Sequence, residues 1–165
     1  MKTTDLIDQL RQDWHNERPD LDSKAMGVVG RAILLGELMR KSANNVLLDF
    51  GVGYTDLDVL ATLRRSGKPF ILRPADLLKA ILIQSGSLTA CLDRLESAGL
   101  IERVATPNDR RSRSVKLTKK GRTLIDEAIS VRFSEAERLL TVLSSSERDN
   151  LERLLRKLLL SIGEQ

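Results

Sequence analysis

The sequence predicts a mainly α-helical fold with one small β-hairpin, and three observations carry that expectation. Hydrophobic residues make up 41% of the 165 residues but aromatics only 3%. Such a Leu-rich, aromatic-poor chain suits helices packed by Leu and Ala better than a β-sandwich. Apolar residues recur at helical spacing through most of the chain, most clearly at Leu151, Leu154, Leu155, Leu158, Leu159 and Ile162. Only one region switches to paired short strands, LIERVA and SRSVKL, which flank the turn TPNDRR.

The elements follow in order. Residues 4–16 read as a helix with Leu6, Ile7 and Leu10 on one side and Trp14 a turn later, stopped by Pro19 and the Asp-Leu-Asp after it. Lys24 to about Asn45 keeps the helical period through Met26, Val29, Ile33, Leu34 and Leu38, until Gly51 and Gly53 break the chain. Tyr54–Arg65 is a third helix with Leu57, Leu60 and Leu63 inward, closed by Ser66-Gly67. The apolar residues 70–72 lie between Pro69 and Pro74 and read as a brief strand. Pro74 then suits the first turn of a helix running over 75–81, where a missing N–H costs nothing.

The turn Gln84-Ser85-Gly86 leads into a helix over Ser87–Ala98, with Leu88, Leu92 and Leu95 as its buried stripe and Gly99 just past its end. Two helices joined by a tight Gly-containing turn make a helix-turn-helix, and a hairpin directly after it makes the unit winged. Thr118 caps a long helix reaching about Leu143, and Ser144 and Glu147 have capping-box spacing before the last helix. The chain is therefore expected to be a single domain over 1–165. Its winged core spans about 54–118, between helical segments at about 4–50 and 119–162. The broad Leu face of the last helix needs cover, either from a second copy in a homodimer or from an intramolecular bundle.

Charge placement points to a partner. The formal net charge is only +4, yet Arg103 to Arg122 holds eight basic residues against one acid, Asp109, which leaves the remainder slightly acidic. A local basic block of this kind is the footprint of a polyanion. The helix Ser87–Ala98 is narrow enough for a major groove of double-stranded DNA, with its N-terminal residues toward the base edges. Ser85, Ser87 and Thr89 supply hydroxyls there, or cap the helix. Arg94 is placed for phosphate or guanine, or for an ion pair with Glu96 or a neighbouring segment. Asp93 is expected to turn toward a basic partner. At the hairpin tip, Arg110, Arg111 and Arg113 suit a narrow, strongly negative minor groove, with Asp109 bracing one guanidinium.

Several classes are excluded. With one cysteine and one histidine, neither an intrachain disulfide framework nor a His/Cys metal cluster is available, and no cofactor motif or catalytic constellation appears. No apolar run approaches a membrane span, and the first residues lack a signal-peptide core, so a cytoplasmic protein with no membrane partner is expected. A ligand-binding or interaction protein that borrows the fold without binding DNA would leave the hairpin arginines unexplained.

The stretches DRLESAGLIER and NDRRSRSVKLTKKGRTL resemble the MarR family of winged-helix regulators in their Leu-Glu helix end, Gly-Leu-Ile, Asp-Arg-Arg hairpin and Leu-Thr-x-x-Gly helix entry. DWHNERPDLD at 13–22, LDVLATLRRSGKPF at 57–70 and SGSLTACLDRLE at 85–96 resemble its urate-responsive, PecS-type branch. The resemblance implies a homodimer on a pseudopalindromic operator, an added N-terminal helix over a ligand site, and repression relieved by a small anionic, aromatic or urate-like effector. It also implies a ligand set in which Trp14, Asp58 and Arg103 match, while Cys91 stands where the branch has an arginine.

That departure has a physical cost. A guanidinium offers an anion two parallel N–H bonds and a full charge, and a thiol offers neither. The loss is on the order of 1.5–3 kcal/mol for a carboxylate-like ligand. Asp58 must then pair with Arg103, reach water or carry a raised pKa. Cys91 itself has three readings: a small buried hydrophobe, a pocket-lining residue for an altered ligand, or a redox switch whose oxidation displaces the helix. The last makes a redox-sensing repressor the alternative function, and it requires exposure and a lowered thiol pKa. Trp14 likewise stands as either a ligand contact or a core plug, and Arg103 as a ligand or DNA-backbone contact.

Overall fold

The computed structural model of the chain describes residues 4–81, 85–106 and 109–163, with the side chains of 85–87, 106 and 109–112 outside that description. Seven helices and three short strands run in the order α1 (Leu6–Glu17), α2 (Lys24–Leu47), α3 (Tyr54–Arg65), β1 (Ile71–Leu72), α4 (Pro74–Ala80), α5 (Ser85–Ser97), β2 (Ile101–Thr106), β3 (Asp109–Leu117), α6 (Lys119–Leu139) and α7 (Ser145–Gly163) among the described residues. A single 3₁₀ turn, Leu48–Phe50, follows α2. Mainly helical structure with a small antiparallel sheet is the expected winged fold. None of the described helices is long and apolar enough to cross a membrane. The chain divides into two compact units, residues 1–45 and 46–165.

In the first unit, Asp5 caps α1 by accepting from the backbone N–H of Ile7 (2.9 Å) and Asp8 (3.0 Å), and Asp8 Oδ2 accepts from Asp5 N–H in return at 3.1 Å. This reciprocal cap starts the helix at Leu6 rather than at the expected residue 4. Arg31 of α2 then binds both carboxylates, at 2.8 Å to Asp5 and 2.5 Å to Asp8. Gly30 lets α2 approach Ile7, whose Cδ1 would lie 3.1 Å from an added Cβ.

The second unit holds the core. Leu57, Leu60 and Leu63 of α3 pack with Leu77, Leu95, Val115 and Ile125, all at most 3% exposed. Each such side chain contributes about 1.5–3 kcal/mol by leaving water. The α3 boundaries and its inward leucines agree with the periodicity, and Pro74 occupies the first turn of α4 as expected. The sheet order is β1–β3–β2, all antiparallel, with Leu72 opposite Val115 and Arg103 opposite Val115 on the other side.

Further boundaries differ from expectation. Phe70 lies outside β1 because its φ of 62° takes it out of the extended region. Ser85 and Gly86 belong to α5, two residues ahead of its expected start, and Gln84 lies outside the described residues. The second hairpin strand begins at Asp109 rather than Ser112, with a register shift beside Thr106. Helix α6 stops at Leu139, four residues short of expectation, before the Ser144–Glu147 capping box begins α7.

Two glycines join α5 to the sheet and the sheet to α6. Gly99 ends α5 with φ 71°: its N–H donates to Glu96 O at 2.8 Å and the Leu100 N–H to Leu95 O at 2.9 Å. This paired closure needs a left-handed residue at Gly99. Thr118 caps α6 by accepting from Gly121 N–H at 3.0 Å while its hydroxyl donates toward the Gly99 and Leu100 carbonyls. A Cβ on Gly121 would overlap the Leu100 carbonyl oxygen. Gly121→Ala is therefore expected to lower stability by about 3 kcal/mol, since the obstruction is backbone and overpacking carries costs of this order. A fall in the urea midpoint at unchanged m-value checks this; an unchanged midpoint would show that α6 has room to move.

Candidate nucleic-acid interface and ligand grooves

Helix α5 is divided lengthwise by burial. Leu88, Cys91, Leu92 and Leu95 are at most 6% exposed and lock one face into the core. The opposite face, Thr89, Ala90, Asp93, Arg94 and Ser97, is exposed. Because the buried residues recur every three or four positions, the rotation of the helix about its axis is fixed, and with it the residues offered to a partner. Ser85 and Ser87 lie in the first turn of this helix, but their side chains are outside the described residues.

The wing stands beside α5. Arg113 is exposed on β3, paired in register with Ala105. Asp109, Arg110 and Arg111 lie on the same strand, but the proposed Asp109 brace falls on side chains outside the description. At the base of the hairpin, Arg103 ties the sheet to α5. Its Nη2 donates to Asp93 Oδ1 at 2.6 Å and its Nη1 to Glu96 Oε2 at 2.7 Å, while its backbone N–H donates to Glu96 Oε1 at 3.2 Å. The Asp93 bond holds the Arg103 guanidinium charged, above its ordinary range, against the opposing effect of burial. Asp93 thus faces a basic partner, as expected.

Beneath the exposed face, Asp56 of α3 reaches α5. Its Oδ1 accepts from Arg94 Nη2 at 2.8 Å and from the Cys91 thiol at 3.1 Å, and its Oδ2 accepts from Gly53 N–H at 3.1 Å. Arg94 therefore pairs with a neighbouring segment rather than with Glu96. Cys91 is fully buried, and burial first, then the bond to Asp56, pushes its thiol up to about 12. The redox reading needed an exposed, acidified thiol. The structure corrects it on both counts: Cys91 packs as a small hydrophobe, and its S–H stays protonated and donates a hydrogen bond to a carboxylate.

The residues implied as a ligand set do not form one cluster within either unit. Trp14, in the first unit, is 58% exposed and so is no core plug; it lines a groove of about 460 Å³ with Leu10, Arg11, Leu21 and Met26. Asp58 lines a different groove of about 300 Å³, between α3 and α6, with Tyr54, Arg65, Arg132 and Phe133. The Arg132 guanidinium lies 6.0 Å from the Tyr54 ring centre. Arg103 is not among the residues of that groove and is engaged with Asp93 and Glu96.

Asp56 escaped the sequence reading although a signal was present. It stands three residues after Gly53, the spacing at which an acid at a helix N-terminus reaches back to the preceding N–H. Its reach to α5, 38 residues away in sequence, had no local signal.

Comparisons with known proteins show which family and fold the chain resembles. A sequence model described as the MarR family matches residues 50–112. The HTH-type transcriptional regulator PecS of Dickeya dadantii is 34% identical over 149 residues, covering 90% of each chain. A crystal structure of mutant MarR from E. coli complexed with operator DNA has a TM-score of 0.72 at 27% identity, covering 94% of this chain and 99% of that one. Bordetella bronchiseptica BpsR, whose DNA binding is regulated by 6-hydroxynicotinic acid, has a TM-score of 0.71 at 25% identity, covering 84% of this chain and 95% of that one.

The thiol supplies a test. Its ordinary value of 9.0 applies to the unfolded chain, whereas the folded chain holds the proton up to about 12. Stability from this group is complete below about pH 9 and is lost as pH rises toward 12, because the unfolded state releases its proton first. Cys91→Ser, which does not ionise there, is expected to show a shallower loss of stability across that window in urea titrations. Equal slopes for the two proteins would mean that Cys91 is neither buried nor bonded to Asp56.

Proposed function

The chain belongs to the MarR family of transcriptional regulators rather than to any enzyme class, and on that premise we propose that it binds operator DNA as a homodimer and releases it on binding a small effector. The single observation that carries this reading is the rigid presentation of one polar face of α5 directly beside a cationic hairpin. On this reading Ser85, Ser87, Thr89 and Arg94 meet the major groove and Arg110, Arg111 and Arg113 the adjacent minor groove, with Asp109 as a local brace. The protein acts as a repressor on a pseudopalindromic site in the cytoplasm.

The dimer is supported by α7. Leu154, Leu155, Leu158 and Ile162 are 44–70% exposed in a single chain, and the described part of this helix has no buried residue. A continuous leucine face of this kind is stable in water only when covered, and a two-fold partner covers it with the same face. The winged unit then recurs at the half-site spacing of a palindrome.

The effector is a small anionic, aromatic molecule, a reading supported by the regulation of BpsR by 6-hydroxynicotinic acid. Of the set Trp14, Asp58, Arg103 and Cys91, Trp14 and Asp58 each line a groove, and either groove can receive such a molecule. The thiol at Cys91 is bonded to Asp56 and brings no positive charge, so urate is a poorer fit than a less acidic relative. Release follows if the effector favours a dimer geometry that no longer matches the operator, by no more than its differential affinity for the two geometries.

Selection from random duplexes, followed by titration of the recovered site against salt, tests this function. With about 8 phosphates neutralised per dimer, log K is expected to fall against log salt with a slope near −7, and Arg113→Ala to lessen that slope by about 2 for its two copies. A flat response, or no recovered site, would remove DNA from the function. Leu158→Asp is expected to yield monomers in sedimentation and to weaken operator binding; a dimer that survives it would place the interface elsewhere.

A further inference from the structure

Asp56 touches both the fixed and the presented sides of α5. Its carboxylate is 14% exposed and both oxygens are engaged. The Gly53 N–H pins Oδ2 at the start of α3. Oδ1 receives the thiol from the inward face of α5 and the Arg94 guanidinium from the outward face. Arg94 itself is 58% exposed and meets Asp56 through one terminal nitrogen. That one bond tethers the guanidinium to α3 and narrows the positions its planar fork can take, while most of the side chain stays open to a partner. An unbraced arginine on the same face would sample many rotamers and lose that freedom on binding.

We propose that Asp56 is a positioning residue for DNA recognition: by bracing Arg94 from α3, it sets the sequence preference of α5 rather than its general attraction for DNA. The inference rests on the DNA-binding function proposed above. It separates two effects that a cation on this helix ordinarily mixes. Raw attraction to phosphate follows total charge, which Asp56 lowers. Discrimination between bases follows a fixed fork, which Asp56 supplies.

The experiment compares the full chain and its variants on the selected site and on a random duplex of equal length, by fluorescence anisotropy at fixed salt. Asp56→Asn is expected to lower the ratio of site to random affinity about tenfold, the scale on which one well-oriented contact discriminates bases. Affinity for the random duplex is expected to hold or rise. Arg94→Ala is expected to lower the ratio similarly, and the double variant no further than either single one, because both changes remove the same contact. If Asp56→Asn weakens both duplexes alike, or its effect adds to that of Arg94→Ala, Asp56 is merely structural and the proposal is overturned.

Arg94→Lys keeps the charge on an exposed side chain and loses the fork, so it serves even if Asp56→Asn does not fold. It is expected to lose the preference, and an undiminished ratio overturns the proposal. Should the wild-type chain itself prefer no site, the DNA-binding function fails, and it is recognised as that failure because no variant enters the comparison.

Discussion

The inward face of α5 is the constraint on which the winged unit depends. Leu88, Leu92 and Leu95 enter a core built from α3, α4, the sheet and α6. That burial is worth several kcal/mol, far more than any ion pair on the surface. It determines which residues of α5 remain outside, and polar contacts then refine the arrangement. Arg103 links the helix to the wing, and Asp56 links it to α3. Apolar packing sets position to within a rotamer, while the charged groups set orientation.

Those charged groups also explain why so acidic a helix surface fits a reading of DNA binding. Asp93 and Glu96 lie on α5 and would repel phosphate if left unneutralised. Both are instead consumed by one guanidinium from the base of the hairpin. Asp56 is largely shielded and accepts from three donors, Gly53 N–H, the Cys91 thiol and Arg94. The negative charges act as internal fasteners, and Arg113 on the wing is left exposed.

The helical elements were legible because their signals are local. Tyr54–Arg65 announces itself by leucines at helical spacing, Pro74 by its fixed φ, and Gly99 by the left-handed turn that only glycine adopts without cost. The early start of α5 was not legible, because Ser85 and Gly86 read as turn residues by composition, whereas the described helix continues through them. The overlong estimate for α6 arose because Leu140 and Leu143 extend the apolar pattern beyond its last hydrogen-bonded turn. The candidate site was half legible. The polar face of α5 follows from its period, but the choice of Asp56 over Asp58 as the neighbour of Cys91 depends on which way two carboxylates two residues apart project from α3. Spacing assigns them to different faces without saying which face meets α5.

The tight seat of Gly121 against the Leu100 carbonyl has a mechanical consequence. With a backbone oxygen where a side chain would be, and Thr118 clasping the same carbonyl, the first turn of α6 has no play against the root of the hairpin. The 21 residues of α6 span roughly 31 Å, so a swing of about 10° at the wing carries the far end through about 5 Å. A helix seated this firmly at one end would convert a displacement of its free end into a much smaller turn at the hairpin root.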